Sequence, residues 1–169
     1  MTRRQLVALI ALSAAVFLVA IDGTVLAIAI PQLTEQLQPT YTQVLWVGDI
    51  YSFMLAGLLV TMGNVGDRIG RKRLLLIASI GFGVMSVVAA AARDPNMLIA
   101  ARALQGVAGA GIMPPTLALI RTTFTDERLR TRAIGIWSAA GSAGASVGPT
   151  LAGFLLEHYY WGSVLLINV

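Results

Sequence analysis

Three ionisable side chains, Asp22, Asp49 and Arg102, stand inside stretches of sequence that are otherwise apolar. A charge facing lipid at the middle of a spanning helix costs about 2.5–3.5 kcal/mol on insertion scales, so such groups pair or line a polar cavity. Two carboxylates and a guanidinium can exchange a proton for a cation. Burial opposes the charge on a carboxylate and a neighbouring guanidinium favours it, so movement around Arg102 would put the proton on and take it off. The competing reading is a fixed structural ion pair close to the membrane interface. Gly23 and Thr24 follow Asp22 and are expected to open the helix at midspan.

The surrounding composition fixes the solvent. Of 169 residues, 57% are apolar and 12% are charged, against roughly 45–50% and about 25% in a soluble domain. So few charged groups could hardly cover a soluble surface, and so many apolar ones exclude disorder. The absence of cysteine excludes disulfides, zinc thiolates and iron–sulfur ligation, and the single His158 argues against a protein-only metal site. No cofactor is expected.

Removing the charged positions leaves a series of long apolar runs. Leu6–Ile21 holds 16 uncharged residues and resumes beyond Asp22 to Ile30; Leu74–Ala92 holds 19, Ala103–Ile120 18 and Ala133–Leu156 24. A bilayer core of about 30 Å needs about 20 helical residues. Val44–Gly63 qualifies with Asp49 near one end, and the apolar run from Ser163 reaches Val169. The sequence therefore predicts an all-α polytopic membrane domain over residues 1–169, with five full spans and the start of a sixth. Their approximate bounds are 6–30, 44–63, 74–92, 97–120, 133–156 and 161–169. A cleaved leader is disfavoured, because no small-residue cleavage site precedes a polar domain.

The basic residues orient this bundle. Arg3 and Arg4 precede the first span, Arg68, Arg71, Lys72 and Arg73 follow the second, and Arg121, Arg128, Arg130 and Arg132 follow the fourth. Ten of the twelve Lys and Arg residues thus share one side, which predicts a cytoplasmic N-terminus in a multi-pass plasma (inner) membrane protein. The net charge of +4 follows from this topology and gives no support to nucleic acid binding. Tyr41, Trp46, Tyr159, Tyr160 and Trp161 collect at the opposite ends, where an aromatic belt is expected. By helical rise, Asp22, Asp49 and Arg102 are expected at similar depth in the outer part of the bilayer, with the Arg between carboxylates. Trp46 and Tyr51 are candidates to face a delocalised cation; interface anchoring is the alternative for both and the favoured reading for Trp46.

Glycines in the fourth span (Gly106, Gly109, Gly111) and fifth span (Gly141, Gly144, Gly148, Gly153) read first as close-packing positions, with Pro149 bending the fifth. Gly144-Ala145-Ser146-Val147-Gly148 matches the hydrolase elbow pattern. It sits mid-span with no preceding strand, and Ser146 and His158 are separated by about 18 Å of helical rise, so no enzymatic activity is expected.

The segment Gly63-Asn64-Val65-Gly66-Asp67-Arg68-Ile69-Gly70-Arg71-Lys72-Arg73 resembles the signature loop of the major facilitator superfamily, with Val65 in place of the usual Leu. The resemblance implies a conformational latch on Gly63, Asp67, Arg68, Gly70 and Arg71. Leu98–Gly106 resembles the family's fourth-helix motif, whose Arg is tied to proton coupling. Gly144–Gly153 resembles the fifth-helix antiporter motif through Gly144, Gly148, Pro149 and Gly153, with Ala152 replacing one Gly. Ile21–Pro31 is similar to the first-helix motif of the fourteen-helix drug–proton antiporters. The stretches Leu45–Ser52 and Tyr160–Val169 resemble the branch exporting quaternary ammonium compounds and methyl viologen.

The resemblance implies the N-terminal half of a proton-coupled multidrug exporter, a partial six-helix bundle. Asp22, Asp49 and Arg102 would couple protons to lipophilic cations. Its expected partners are the bilayer, protons, cationic amphiphiles and the missing C-terminal half. The alternative expectation is a truncated, transport-inactive membrane fragment that at most assembles with a complementary half.

Overall fold

A computed structural model describes all of residues 1–169. Five long helices account for most of the chain: α1 (Arg3–Leu37), α2 (Tyr41–Ile69), α3 (Arg71–Ala90), α4 (Pro95–Thr123) and α5 (Glu127–His158). All five are long and apolar enough to cross a membrane. Two short 3-10 turns, Trp161–Val164 and Leu166–Asn168, follow α5.

The helices overrun the apolar runs that announced them, because capping, not hydropathy, ends a helix. Thr2 with Gln5 and Thr40 with Gln43 form capping boxes that start α1 and α2 about a turn early. Asp94 accepts from the Met97 amide with Pro95 at the first helical position, and Asp126 accepts from the Leu129 amide. The predicted bounds of 6–30 and 133–156 become Arg3–Leu37 and Glu127–His158. At 1.5 Å per residue the 35 residues of α1 reach about 52 Å, so its ends project past the hydrocarbon core.

Three sequence expectations are corrected here. First, α1 does not open at Gly23–Thr24; it is continuous, and the Thr24 hydroxyl donates to the Ile21 carbonyl at 2.9 Å. Second, the segment expected to begin a sixth α-helix forms 3-10 turns packed on α1, α3 and α5. Third, Tyr41, Trp46, Tyr159 and Tyr160 are exposed as a belt requires, but Trp161 is buried in the main apolar cluster beside Ile21, Ala90 and Leu98. A ring packed there cannot anchor at the surface.

Helix α4 is the hub, packing on α2, α3 and α1, while α5 lies along α1. Small residues set these approaches. A side chain at Gly106 would come within 2.5 Å of the Tyr51 carbonyl and 2.9 Å of Met54 Cβ, and one at Gly111 within 2.9 Å of Ala78 Cβ. Hydrogen bonds tie the ends: Gln5 Nε2 donates to the Thr123 carbonyl, Gln32 Nε2 to the Leu156 carbonyl and Gln43 Nε2 to Asn96 Oδ1. Only 43 of 169 residues are buried, so the apolar outer faces remain for lipid or for other helices.

Candidate proton- and cation-handling site

Within α4, Leu98, Ala101, Arg102, Gln105 and Gly109 fall at three- and four-residue spacing and are all buried, which is the inward stripe of one helix face. Arg102 and Gln105 are therefore neighbours, and Arg102 Nη1 donates to Gln105 Oε1 at 2.9 Å. The same Nη1 donates to Asp22 Oδ2 of α1 at 2.6 Å. Asp22 is 0% exposed and Arg102 1%.

The other carboxylate oxygen is also held. Asp22 Oδ1 accepts from Gln105 Nε2 at 2.8 Å and from Asn168 Nδ2 at 2.6 Å. Ser86 of α3 completes the cluster, its Oγ accepting from Gln105 Nε2 at 2.7 Å and from Asn168 Nδ2 at 3.1 Å. Tyr51 of α2 covers the guanidinium, whose central carbon lies 4.3 Å from the ring centroid. The Tyr51 hydroxyl donates to the Val19 carbonyl at 3.3 Å. The bonds made by the Arg102 guanidinium and the Asp22 carboxylate are charge-assisted, a kind about twice as strong as neutral ones. Both carboxylate oxygens and Nη1 are thus partnered, while Nε of Arg102 is buried without a partner, so the charges are compensated by each other and by Gln105, Asn168 and the Tyr51 ring.

The structure brings Asp22 and Arg102 together and leaves Asp49 out. Val47 and Tyr51 turn toward α4 and are buried, and Asp49, two residues from each, is rotated by about 200° onto the exposed face. The expectation of an Arg set between two carboxylates is thus corrected. Asp49 instead lines a shallow cleft with Trp46 and Phe53, whose rings meet edge to face at 6.3 Å. Tyr51, expected as a surface for a cation from outside, already has Arg102 on its ring.

Sequence reasoning missed Gln105, Ser86, Asn168 and Phe53 as site members. Gln105 had a signal, lying three residues beyond Arg102 on a helix. Ser86 and Asn168 had none, since Asn168 meets Asp22 across 146 residues of sequence.

The signature segment is helical up to Ile69. Gly70 has φ 98° and is the one break between α2 and α3, a conformation suited to glycine. Arg71 donates to Asp67 Oδ1 through Nε at 3.0 Å and approaches it through Nη2 at 3.0 Å. Gly63 and Gly66 face Pro114 and Pro115 of α4, while Arg68 is exposed. In α5, Gly144 sits against the Phe17 carbonyl and Gly148 against Thr24 and Ile21, so this half of the motif packs α5 on α1. Helix α5 runs unbroken through Pro149, and Gly153 has open space around it. Ser146 donates to the Ser142 carbonyl and His158 pairs with the Phe154 carbonyl, each within its own helix.

Residues 12–169 match the sequence profile of the Major Facilitator Superfamily. The chain is 52% identical over 166 residues to the multidrug efflux pump LfrA of Mycolicibacterium smegmatis, covering 98% of this chain and 33% of that protein. It is 50% identical over 151 residues to the methyl viologen resistance protein SmvA of Salmonella typhimurium, covering 89% of this chain and 30% of that one. The chain thus spans about a third of the length of these relatives. Its fold matches the inward-facing, occupied crystal structure of a bacterial homolog to the human lysosomal transporter Spinster, with a TM-score of 0.79 at 21% identity, over 99% of this chain and 42% of that one.

Proposed function

This chain belongs to the Major Facilitator Superfamily, and on that premise we propose that it works as the first helical bundle of a proton-coupled exporter of lipophilic and quaternary ammonium cations. The observation that carries this reading is the Asp22–Arg102 pair, fully buried at 2.6 Å within the apolar helices. A carboxylate in that position is held by its charge. Adding a proton to it removes the charge attraction between Asp22 and Arg102 and leaves the guanidinium to Gln105 and the Tyr51 ring, so proton binding and the strength of this contact become one event. The similarity to a multidrug efflux pump and a methyl viologen resistance protein supports small cationic substrates.

Asp49 takes a different part in this proposal. Its exposed carboxylate, beside Trp46 and Phe53, offers a negative charge and two aromatic faces to a delocalised cation. A charge exposed at that depth is costly in lipid, so the face is assigned to a water-filled cavity or a neighbouring bundle. Alternating access rocks one bundle against another around such a site. The Asp67–Arg71 pair at the α2–α3 junction and the glycine-packed α1–α5 contact belong to that movement. The basic ends of the helices are assigned to the cytoplasm, in the plasma membrane.

The test is export of a cationic dye from proteoliposomes carrying the complete reading frame, driven by an imposed proton gradient. Asp22→Asn should abolish proton-driven export while the amount of protein in the membrane is unchanged. Export at the unsubstituted rate would overturn the proposal.

A further inference from the structure

The side-chain amide of Asn168 is satisfied on one side only. Its Nδ2 donates to Asp22 Oδ1 and to Ser86 Oγ, while its Oδ1 is buried without a partner. A native core rarely leaves such an oxygen unpaired without a reason, and here it belongs to the residue that touches the buried carboxylate. Resting on the reading of Asp22 as the proton-exchanging group, we infer that Asn168 is its switch: the amide donates to the carboxylate and, after a half turn, accepts from the carboxylic acid.

The neighbouring amide shows why the turn falls to Asn168. Gln105 accepts from Arg102 Nη1 through Oε1 and donates through Nε2 to Asp22 and Ser86. A guanidinium can only donate, so turning Gln105 over would set its NH2 group against another N–H. Its orientation is fixed in both states. Asn168 meets no such donor. A negative carboxylate and a rotatable hydroxyl hold its nitrogen inward.

The hydrogen-bond inventory requires some such change. As a carboxylate, Asp22 accepts from Arg102, Gln105 and Asn168, and among these partners the unpaired acceptor is Oδ1 on the far side of Asn168. A proton on Oδ1 of Asp22 makes that oxygen a donor, opposed by the N–H groups aimed at it. A half turn of the Asn168 amide about its Cβ–Cγ bond brings its own Oδ1 to the place of Nδ2, within reach of both Asp22 and Ser86. The two lone pairs of that oxygen then accept from the new Asp22 O–H and from the Ser86 hydroxyl. One proton enters on Asp22 and none leaves the amide.

Few charges bear on this exchange. Arg102 from α4 and Tyr51 from α2 are the ionisable groups that face Asp22. α3 and the 3-10 segment present Ser86 and Asn168. The ionisable residues of α3 and α5, and Arg3, Arg4 and Glu35 of α1, lie near the helix ends.

The experiment is infrared difference spectroscopy between acidic and neutral pH on the protein in lipid nanodiscs, with the asparagine side-chain carbonyls carbon-13 labelled. Asn64→Gln and Asn96→Gln remove the other asparagines of residues 1–169, and labelling is confined to that segment by segmental ligation where more chain follows, leaving the signal of Asn168. On acidification a carboxylic acid band should appear that is absent from Asp22→Ala. The Asn168 amide band should shift with the same midpoint pH, and should stay fixed in Asp22→Ala, which adds no labelled asparagine. An Asp22 band without a matching Asn168 shift overturns the switch and leaves the proton reading intact. No Asp22 band at any pH at which the helices persist removes the proton reading and the switch together.

Discussion

Arg102 and Tyr51 are stacked: the guanidinium carbon lies 4.3 Å from the ring centroid while Nη1 donates to Asp22 Oδ2 at 2.6 Å. The aromatic face gives the cation an attraction that persists when the carboxylate is neutral. Cation–π contacts contribute about 0.5–1 kcal/mol when exposed and about 2 or more when desolvated. Tyr51→Phe keeps the ring and loses the bond to the Val19 carbonyl, so it should cost about 1 kcal/mol. Tyr51→Leu should cost about 1–2 kcal/mol more. Thermal unfolding in detergent reads the difference, and equal losses in the two variants would remove the ring from the account.

Breaking the buried pair on one side should be severe. Arg102→Ala leaves the Asp22 carboxylate uncompensated and is expected to lower stability by about 3–5 kcal/mol. Adding Asp22→Asn to it should recover part of that loss, because the two changes act on one interaction. A double variant as unstable as the sum of the singles would show that the two side chains do not couple.

The glycine contacts divide into two kinds. Gly106→Ala and Gly144→Ala each place a methyl group about 2.5 Å from a backbone carbonyl, of Tyr51 and Phe17 respectively, and should destabilise by about 1–3 kcal/mol. Gly57 and Gly153 have nothing within 4 Å of an added Cβ. Alanine there should leave the unfolding temperature unchanged or slightly raised, as helix propensity favours it. A loss at Gly153 equal to that at Gly144 would contradict the packing described.

The two carboxylates should respond differently to a cationic probe. Methyl viologen is expected to quench the exposed Trp46, and Asp49→Asn or Phe53→Ala should weaken that binding about tenfold, or 1.4 kcal/mol. Asp22→Asn should leave it near its original value, since Asp22 is sealed from the surface. Quenching insensitive to Asp49 would detach the cleft from substrate handling.

The Asp67–Arg71 pair lies on the surface, with side chains 61% and 39% exposed, and exposed helical pairs contribute about 0.3–0.5 kcal/mol. Asp67→Asn should therefore unfold almost as the unsubstituted protein does. A several-fold loss of dye export at unchanged membrane abundance would place its effect on conformational change. Unaltered export would remove it from the latch.

Much of this architecture could be read from the chain. The spans were legible because hydropathy accumulates over 20 or so residues whatever they pack against, and Asp22 and Arg102 stood out because charge is rare among such residues. Helix ends were not legible from apolar runs, since Thr2, Thr40, Asp94 and Asp126 set them by side-chain capping in polar sequence. Nor was the fate of Trp161, whose ring is equally suited to an interface or a core.

By itself the sequence determined five spans, the gathering of basic residues at one end and the presence of buried ionisable groups, all properties that local composition carries. The tertiary structure alone decided which carboxylate Arg102 would take. A helix whose every face is apolar has no polar stripe to reveal its rotation about its axis. That rotation is set by close packing of small residues such as Gly106 and Gly144 against neighbouring backbone. It turned Asp22 inward and Asp49 outward, and it gathered Ser86, Gln105 and Asn168 around one carboxylate from distant parts of the chain.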